Sequence, residues 1–211
     1  MEKLEEVTLK VKAFAAEIDA LYGHYLDTTT GFARLVDSLV AARTRLPQKL
    51  QGKIDPNTLA FSYGDGAPGQ RGTRQLHKTT QGALMARNQK GGTNYTRAGR
   101  SLVVLLYTQW EDLHRNRIAR ALGHDNKDAL KSQSFGDLGI LRNAIVHRHG
   151  VVTEVDARRL KVFICRAGEE LLIGPPVVDN LVTQLKKALD DIVTEAGGAD
   201  PLFRSAVQPW D

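Results

Sequence analysis

The sequence predicts a mainly α fold, a helical bundle with a small β-hairpin inserted in it. Three observations carry that expectation. Apolar residues recur at three- and four-residue spacing over several long segments. Gly, Pro, Asn and Thr cluster between those segments as breaks. One late stretch, at 160–173, reads as two short apolar runs around a Gly-containing turn.

The first helix is expected over 3–26, where Leu4, Val7, Val11, Phe14, Ile18, Leu21 and Leu26 share one stripe. Asp27-Thr28-Thr29-Thr30 is rich in N-cap residues, so a break is placed there. A second helix follows from Gly31 to Arg45, with Phe32, Leu35, Val36, Leu39 and Val40 apolar and Pro47 at its end. Together they predict an N-terminal helical hairpin over 1–50. Residues 51–97 lose the period and read as a basic, Gly- and Thr-rich connection, expected to be largely irregular. Within it, Leu59 to Tyr63 suits a short extended piece and Thr73 to Asn88 a short helix. A core domain is assigned to 98–196. It opens on the strongest helix, 98–122, whose stripe includes Leu102, Leu106, Trp110, Leu113 and Ile118, with Gly123 as its stop. A short helix at 125–132 follows, and then a helix capped by Ser134 or Asp137 and ending at Gly150. Leu160–Cys165 and Glu170–Ile173 are the two predicted strands. Pro175 and Pro176 open the last helix, 177–196. Residues 197–211 form a tail whose Phe203 and Trp210 are expected to dock on the body.

Composition sets the class. A chain of 211 residues, 42% hydrophobic and 25% charged, is long enough to bury a core without disulfide or metal. The single cysteine, Cys165, forbids an intrachain disulfide and suits a reducing compartment. The first residues, Met1-Glu2-Lys3-Leu4-Glu5-Glu6-Val7, place acids where a signal peptide carries cations. The apolar run Leu102 to Leu106 is far too short for a bilayer. A cytoplasmic, non-membrane protein is therefore expected. The net charge is +5, and its placement is informative. No acid occurs between Asp65 and Glu111, a stretch holding Arg71, Arg74, Lys78, Arg87, Lys90, Arg97 and Arg100. Without these seven the chain has 22 Lys and Arg against 24 Asp and Glu. Such a segment attracts a phosphate backbone without reading its sequence, and these seven residues are the candidate RNA contacts. A solvated loop is the plainer reading of the same charges.

The chemistry is concentrated in Phe135-Gly-Asp-Leu-Gly-Ile-Leu-Arg-Asn-Ala-Ile-Val-His-Arg-His-Gly150. Asn143 and His147 are four residues apart and share a helix face, which Gly139 and Gly136 continue. Arg142 stands about 140° round the helix from His147. Its side chain either curls back or meets the histidine of a second subunit. Histidine exchanges protons near neutral pH and serves as general acid or base. An arginine fork binds phosphate oxygens and steadies developing negative charge. RNA supplies its own nucleophile, the 2′-hydroxyl, so cleavage without metal needs only a base, an acid and an anion clamp. In a twofold dimer two copies of the triplet can share a cleft.

These residues resemble the signature of the HEPN family, an Arg, a polar residue and then His in Arg-x4-His form. Glu111, on the preceding helix, is similar to an acidic position of many HEPN proteins and is expected to orient Arg142 or an imidazole. The resemblance covers about 98–196. It implies a HEPN-like bundle, a homodimer and metal-independent endoribonuclease activity leaving 2′,3′-cyclic phosphate and 5′-hydroxyl ends. No cofactor is implied. A role in toxin–antitoxin systems, phage defence or stress is implied, with a cognate antitoxin as partner. HEPN toxins silenced by nucleotidylation of a tyrosine often carry Tyr where this chain has His149, which speaks against that regulation here. The rival expectation is a non-catalytic HEPN-like module that binds a nucleotide or protein and dimerises. No metal site is expected, since His147 and His149 have no ligand cluster around them. His114 and His124 read as surface residues, Cys165 as a buried strand residue, and Trp110 as core. DNA binding by a helix-turn-helix is the weakest reading.

Overall fold

Helix α1 runs without interruption from Glu2 to Thr44, 43 residues, where a hairpin of two helices was expected. The computed structural model describes residues 2–45, 53–66, 70–199 and 201–203. The expected break at Asp27–Thr30 is absent. Thr and Gly lower helix propensity by only about 0.5–1 kcal/mol each, and packing overrides this. The Tyr95 hydroxyl donates to the Thr29 carbonyl (3.1 Å), and the Tyr95 ring meets Phe32 edge-on at 5.7 Å. Pro47 lies outside the described residues.

The remaining elements are strand β1 (Ala60–Gly64), strand β2 (Gln75–Thr80), and helices α2 (Gln81–Asn88), α3 (Thr93–Gln109), α4 (Arg115–Ala121), α5 (Gln133–His147), α6 (Glu154–Arg159) and α7 (Pro175–Glu195). The fold is thus mainly α with one small antiparallel sheet. The chain divides into two compact units, Asp27–Thr96 and the remainder (Met1–Leu26 with Arg97–Asp211).

In the smaller unit the segment expected to be largely irregular carries two strands and a helix among its described residues. β1 and β2 pair antiparallel, Phe61 opposite Thr79 and Tyr63 opposite His77, with a bulge between Tyr63 and Gly64. Thr80 then caps α2 by accepting from the Ala83 amide. The extended piece expected at 59–63 is present as β1, but of the helix expected over Thr73 to Asn88 only the second half forms, as α2; its first half is β2, a strand the sequence did not reveal.

In the larger unit one apolar cluster joins Val7, Val11, Phe14 and Ile18 of α1 to α3, α4, α5 and α7. An aromatic stack lies at its centre. Trp110 and Phe135 stack at 3.8 Å and 8°, and Phe14 lies against Trp110 (5.6 Å) and His114 (4.5 Å). Trp110 is core, as expected. His114 is not a surface residue: it is 6% exposed, and burial first, then the Arg117 charge, depress its pKa. The long helix expected over 98–122 starts earlier and contains a π turn, Trp110–His114, marked by the bond from the Arg115 amide to the Trp110 carbonyl. Gly123, with φ of 81°, closes α4 by the paired bonds His124 to Ala119 and Gly123 to Arg120. The expected helix at 125–132 is a single 3₁₀ turn, Lys127–Ala129, capped by Asn126 and not by Asp125.

The largest correction concerns the strands expected at Leu160–Cys165 and Glu170–Ile173. Neither forms; the region holds one isolated bridge, Val151 to Glu170. The cause is Asp137. It does not cap α5 but lies within it, 0% exposed, where its Oδ2 accepts the amides of Lys161 (2.8 Å), Val162 (2.6 Å) and Phe163 (3.1 Å). Three successive N–H groups point at one carboxylate, so they cannot alternate into a ladder. Cys165 is consequently half-buried in irregular chain, its thiol pushed up by burial and the Asp137 charge. In the tail, the Leu202 and Phe203 amides donate to Asp190, which docks Phe203 as expected. Trp210 lies outside the described residues. Among those residues no helix is long and apolar enough to cross a membrane.

Candidate functional site

Helix α5 buries Phe135, Leu138, Leu141 and Ala144. That leaves Asn143 and His147 exposed along its outer face, with Arg142 half-buried beside them. The Arg142 side chain curls back along its own helix. Its Nη1 donates to Asn143 Oδ1 (3.0 Å) and lies 3.2 Å from His147 Nε2. Guanidinium has no lone pair to offer, so this contact is a hydrogen bond only while Nε2 is the acceptor. Among the described residues the Arg142 Nε is buried without a hydrogen-bond partner. Such an atom costs free energy unless something else compensates.

The end of α5 is pinned from α3. Arg100, 17% exposed at its side chain, donates to the carbonyls of Leu171 (3.1 and 2.8 Å) and His149 (3.2 Å) and to Glu170 (2.7 Å). Gly150, at φ of 88°, makes room for it, since a Cβ there would lie 2.6 Å from the guanidinium. His149 itself sits at φ of 55°, and its held carbonyl fixes the turn just past His147. Nothing in the sequence marked this clamp, which joins residues 49 positions apart.

The other candidate RNA contacts differ in state. Arg71, Lys78, Lys90 and Arg97 are exposed. Arg74 is exposed but paired with Asp65 at 3.0 Å, and Arg87 lies 3.5 Å from His77. Arg100 is the exception, because each nitrogen of its guanidinium already donates to an acceptor of the protein.

Glu111 sits on the π turn. Arg115 (2.9 Å) and Lys127 (2.7 Å) hold its carboxylate. Among the described residues it bonds neither Arg142 nor an imidazole, so the expected orienting contact is not present. It shares a neighbourhood with Arg142 through Tyr107, whose hydroxyl is pushed up by burial and the Glu111 charge and pulled down by Arg115 and Arg142. The Tyr107 ring fills the notch at Gly139, where a Cβ would come within 2.8 Å of it. Gly136, one turn earlier, faces open space. A cavity of about 220 Å³ lies there, lined by Tyr107, Glu111, Arg115, Ser132 and Gly136 among others. Among the described residues no three His, Cys, Asp or Glu side chains gather as a metal site.

Burial favours a raised Glu111 pKa, but hydrogen bonds from Lys127 and Arg115 outweigh it and hold the carboxyl below its ordinary value of 4.5. A carboxyl depressed in the fold stabilises it above the unfolded pKa, and the effect is lost as pH falls through the folded one. Wild type is therefore expected to melt above Glu111→Gln at neutral pH, with the gap narrowing as the pH drops below 4.5. Melting curves of both proteins across acid pH check this. A gap that persists unchanged in acid would assign the difference to packing.

Comparison with protein families, characterised proteins and solved structures returns no match.

Proposed function

We propose that this chain is a metal-independent endoribonuclease of HEPN type, acting as a homodimer on RNA. The observation that carries the proposal is the Arg142 guanidinium joining Asn143 Oδ1 to His147 Nε2 on an exposed helix face. It couples an anion clamp to a potential base within one side chain's length. In the reaction a ribose 2′-hydroxyl takes the guanidinium's place at Nε2 and gives its proton to His147. The 2′-oxygen then attacks the adjacent phosphorus, and Arg142 turns to the phosphate oxygens. The bond from phosphorus to the 5′-oxygen breaks, and that oxygen takes a proton from the His147 of a second copy. The products are a 2′,3′-cyclic phosphate and a 5′-hydroxyl. Glu111 acts at a distance, by holding Arg115 and Lys127 as a cationic flank to α5. The basic stretch of 71–97 gathers the RNA. A toxin–antitoxin or defence role, with a cognate antitoxin, is the biological setting the HEPN resemblance suggests, inside a cytoplasm.

The test is cleavage of a labelled mixed RNA pool in EDTA, with the product ends analysed. His147→Ala, prepared identically, controls for a contaminating nuclease. Cyclic phosphate ends, formed without metal and absent from the control, are expected. A well-folded dimer that cleaves none of a varied RNA set would return the chain to the rival reading, a HEPN-like module that binds a nucleotide or protein without cleaving.

A further inference from the structure

The β-ribbon of the smaller unit has two chemically different faces. Cross-strand partners in an antiparallel pair project to the same side, and alternate residues along a strand project to opposite sides. The pairing of Phe61 with Thr79 and Tyr63 with His77 therefore gathers these four side chains on one face, whereas Ser62 and Lys78 fall on the other. On the first face the rings form a row. Phe61, half-buried, meets Tyr63 edge-on at 5.1 Å, and Tyr63 lies 6.0 Å from the His77 ring at 32°. Tyr63 is 39% exposed and His77 is exposed. The row ends at a cation, Arg87 of α2, whose Nη1 is 3.5 Å from His77 Nε2.

The smaller unit is basic in composition. Residues 27–96 hold ten Lys and Arg against four Asp and no Glu. Exposed rings beside cations, in a strongly basic unit, match a ligand that offers flat π faces and phosphates together. Single-stranded nucleic acid is that ligand, because its bases are free to leave their own stack. Within a duplex the base faces are covered, and this row would find only sugar and phosphate. Ring packing that served the ribbon alone would be completed by any β-branched partner, and would not need a polar imidazole leading to Arg87.

We infer that the Phe61–Tyr63–His77 face of the β1–β2 ribbon is a base-stacking platform for single-stranded RNA, with Arg87 as its phosphate contact. The inference rests on RNA as the ligand proposed above and is independent of the chemistry at His147.

The experiment is fluorescence anisotropy of a short labelled single-stranded RNA, alone and annealed to its complement. The full chain carries His147→Ala so that the probe stays intact. Tyr63→Thr keeps β propensity and removes the ring; Tyr63→Phe keeps the ring. Stacking is worth about 1–3 kcal/mol per base, so Tyr63→Thr is expected to weaken single-strand binding on the order of tenfold. Tyr63→Phe is expected to bind as the parent does, and the duplex to bind more weakly than the single strand. Arg87→Ala is expected to lower the slope of log affinity against log salt by roughly 0.7, the value for one phosphate on a single strand. Unchanged affinity in a folded Tyr63→Thr, or a duplex bound as tightly as the single strand, overturns the platform. If Tyr63→Thr binds normally while wild type cleaves, the platform falls and the ribonuclease stands. If Tyr63→Thr loses binding while wild type never cleaves, the ribonuclease falls and the platform stands.

Discussion

Asp137→Ala is expected to destabilise the larger unit by about 3–5 kcal/mol, since it strips the acceptor from three backbone amides and a buried donor left without a partner costs about 1–3 kcal/mol. The wild-type carboxylate accepts three consecutive backbone amides and, through Oδ1, the Gln133 side chain at 2.7 Å. Hydrogen bonds to a charged acceptor are each worth about 1.5–3 kcal/mol, and their sum is offset by the cost of burying the charge. What remains in the variant is worse than a simple loss, since the amides of 161–163 keep their need for an acceptor in a place shaped to supply one. Against a typical total of about 5–15 kcal/mol such a change threatens folding outright. Asp137→Asn keeps an oxygen in position and should lose much less. Urea titrations of the three proteins check the order. If Asp137→Ala fell within about 1 kcal/mol of wild type, a size usual for a surface change, the amides would have found water, and Asp137 would not be what organises the loop.

That carboxylate also explains where the sequence was readable and where it was not. Of the first helix's stripe, Val7, Val11, Phe14 and Ile18 are buried at the place expected, Leu4 and Leu21 are half-buried, and Leu26 is exposed. Leu181, Leu185 and Leu189 of α7 are buried as expected. The errors lie where a distant group decides the local outcome. Leu160–Cys165 has strand composition, but its amides answer to a residue 24 to 26 positions earlier. Asp27–Thr30 has cap composition, but Tyr95 approaches from 66 positions away to hold Thr29 in the helix. The ribbon was half visible, because β1 carries strand residues while Gln75, His77 and Lys78 of β2 do not. The candidate site divides in the same manner. Arg142, Asn143 and His147 lie within one helical turn and a half, so their meeting was within reach of spacing alone, with two outcomes open for Arg142. The clamp from Arg100 to the end of α5 involves a residue that charge counting had placed with the RNA contacts. Its role depends on Gly150, whose stop signal was visible while the guanidinium that occupies its open side was not.

His147→Ala is expected to reduce cleavage in EDTA by about 10²–10⁴-fold, the usual contribution of a general base. Arg142→Ala is expected to cost about 10²–10³-fold, the range for one preorganised donor at a developing anion. Arg142→Lys should not restore the loss. An ammonium on a shorter, unforked chain can meet Asn143 Oδ1 or His147 Nε2, but it lacks the planar fork that reaches both and then grips two phosphate oxygens. His147→Ala should not disturb folding much, because His147 is exposed, whereas Arg142 is half-buried, so melting temperatures are read beside the rates to separate a folding loss from a catalytic one. The double variant separates two accounts. If Arg142 serves by presenting His147 to the hydroxyl as well as by binding phosphate, its effect is contained in that of His147. The double variant should then be scarcely slower than His147→Ala, as residues acting as a unit are strongly non-additive. Losses that multiply would instead mean two independent contributions, and the 3.2 Å contact between the two side chains would have no part in the rate.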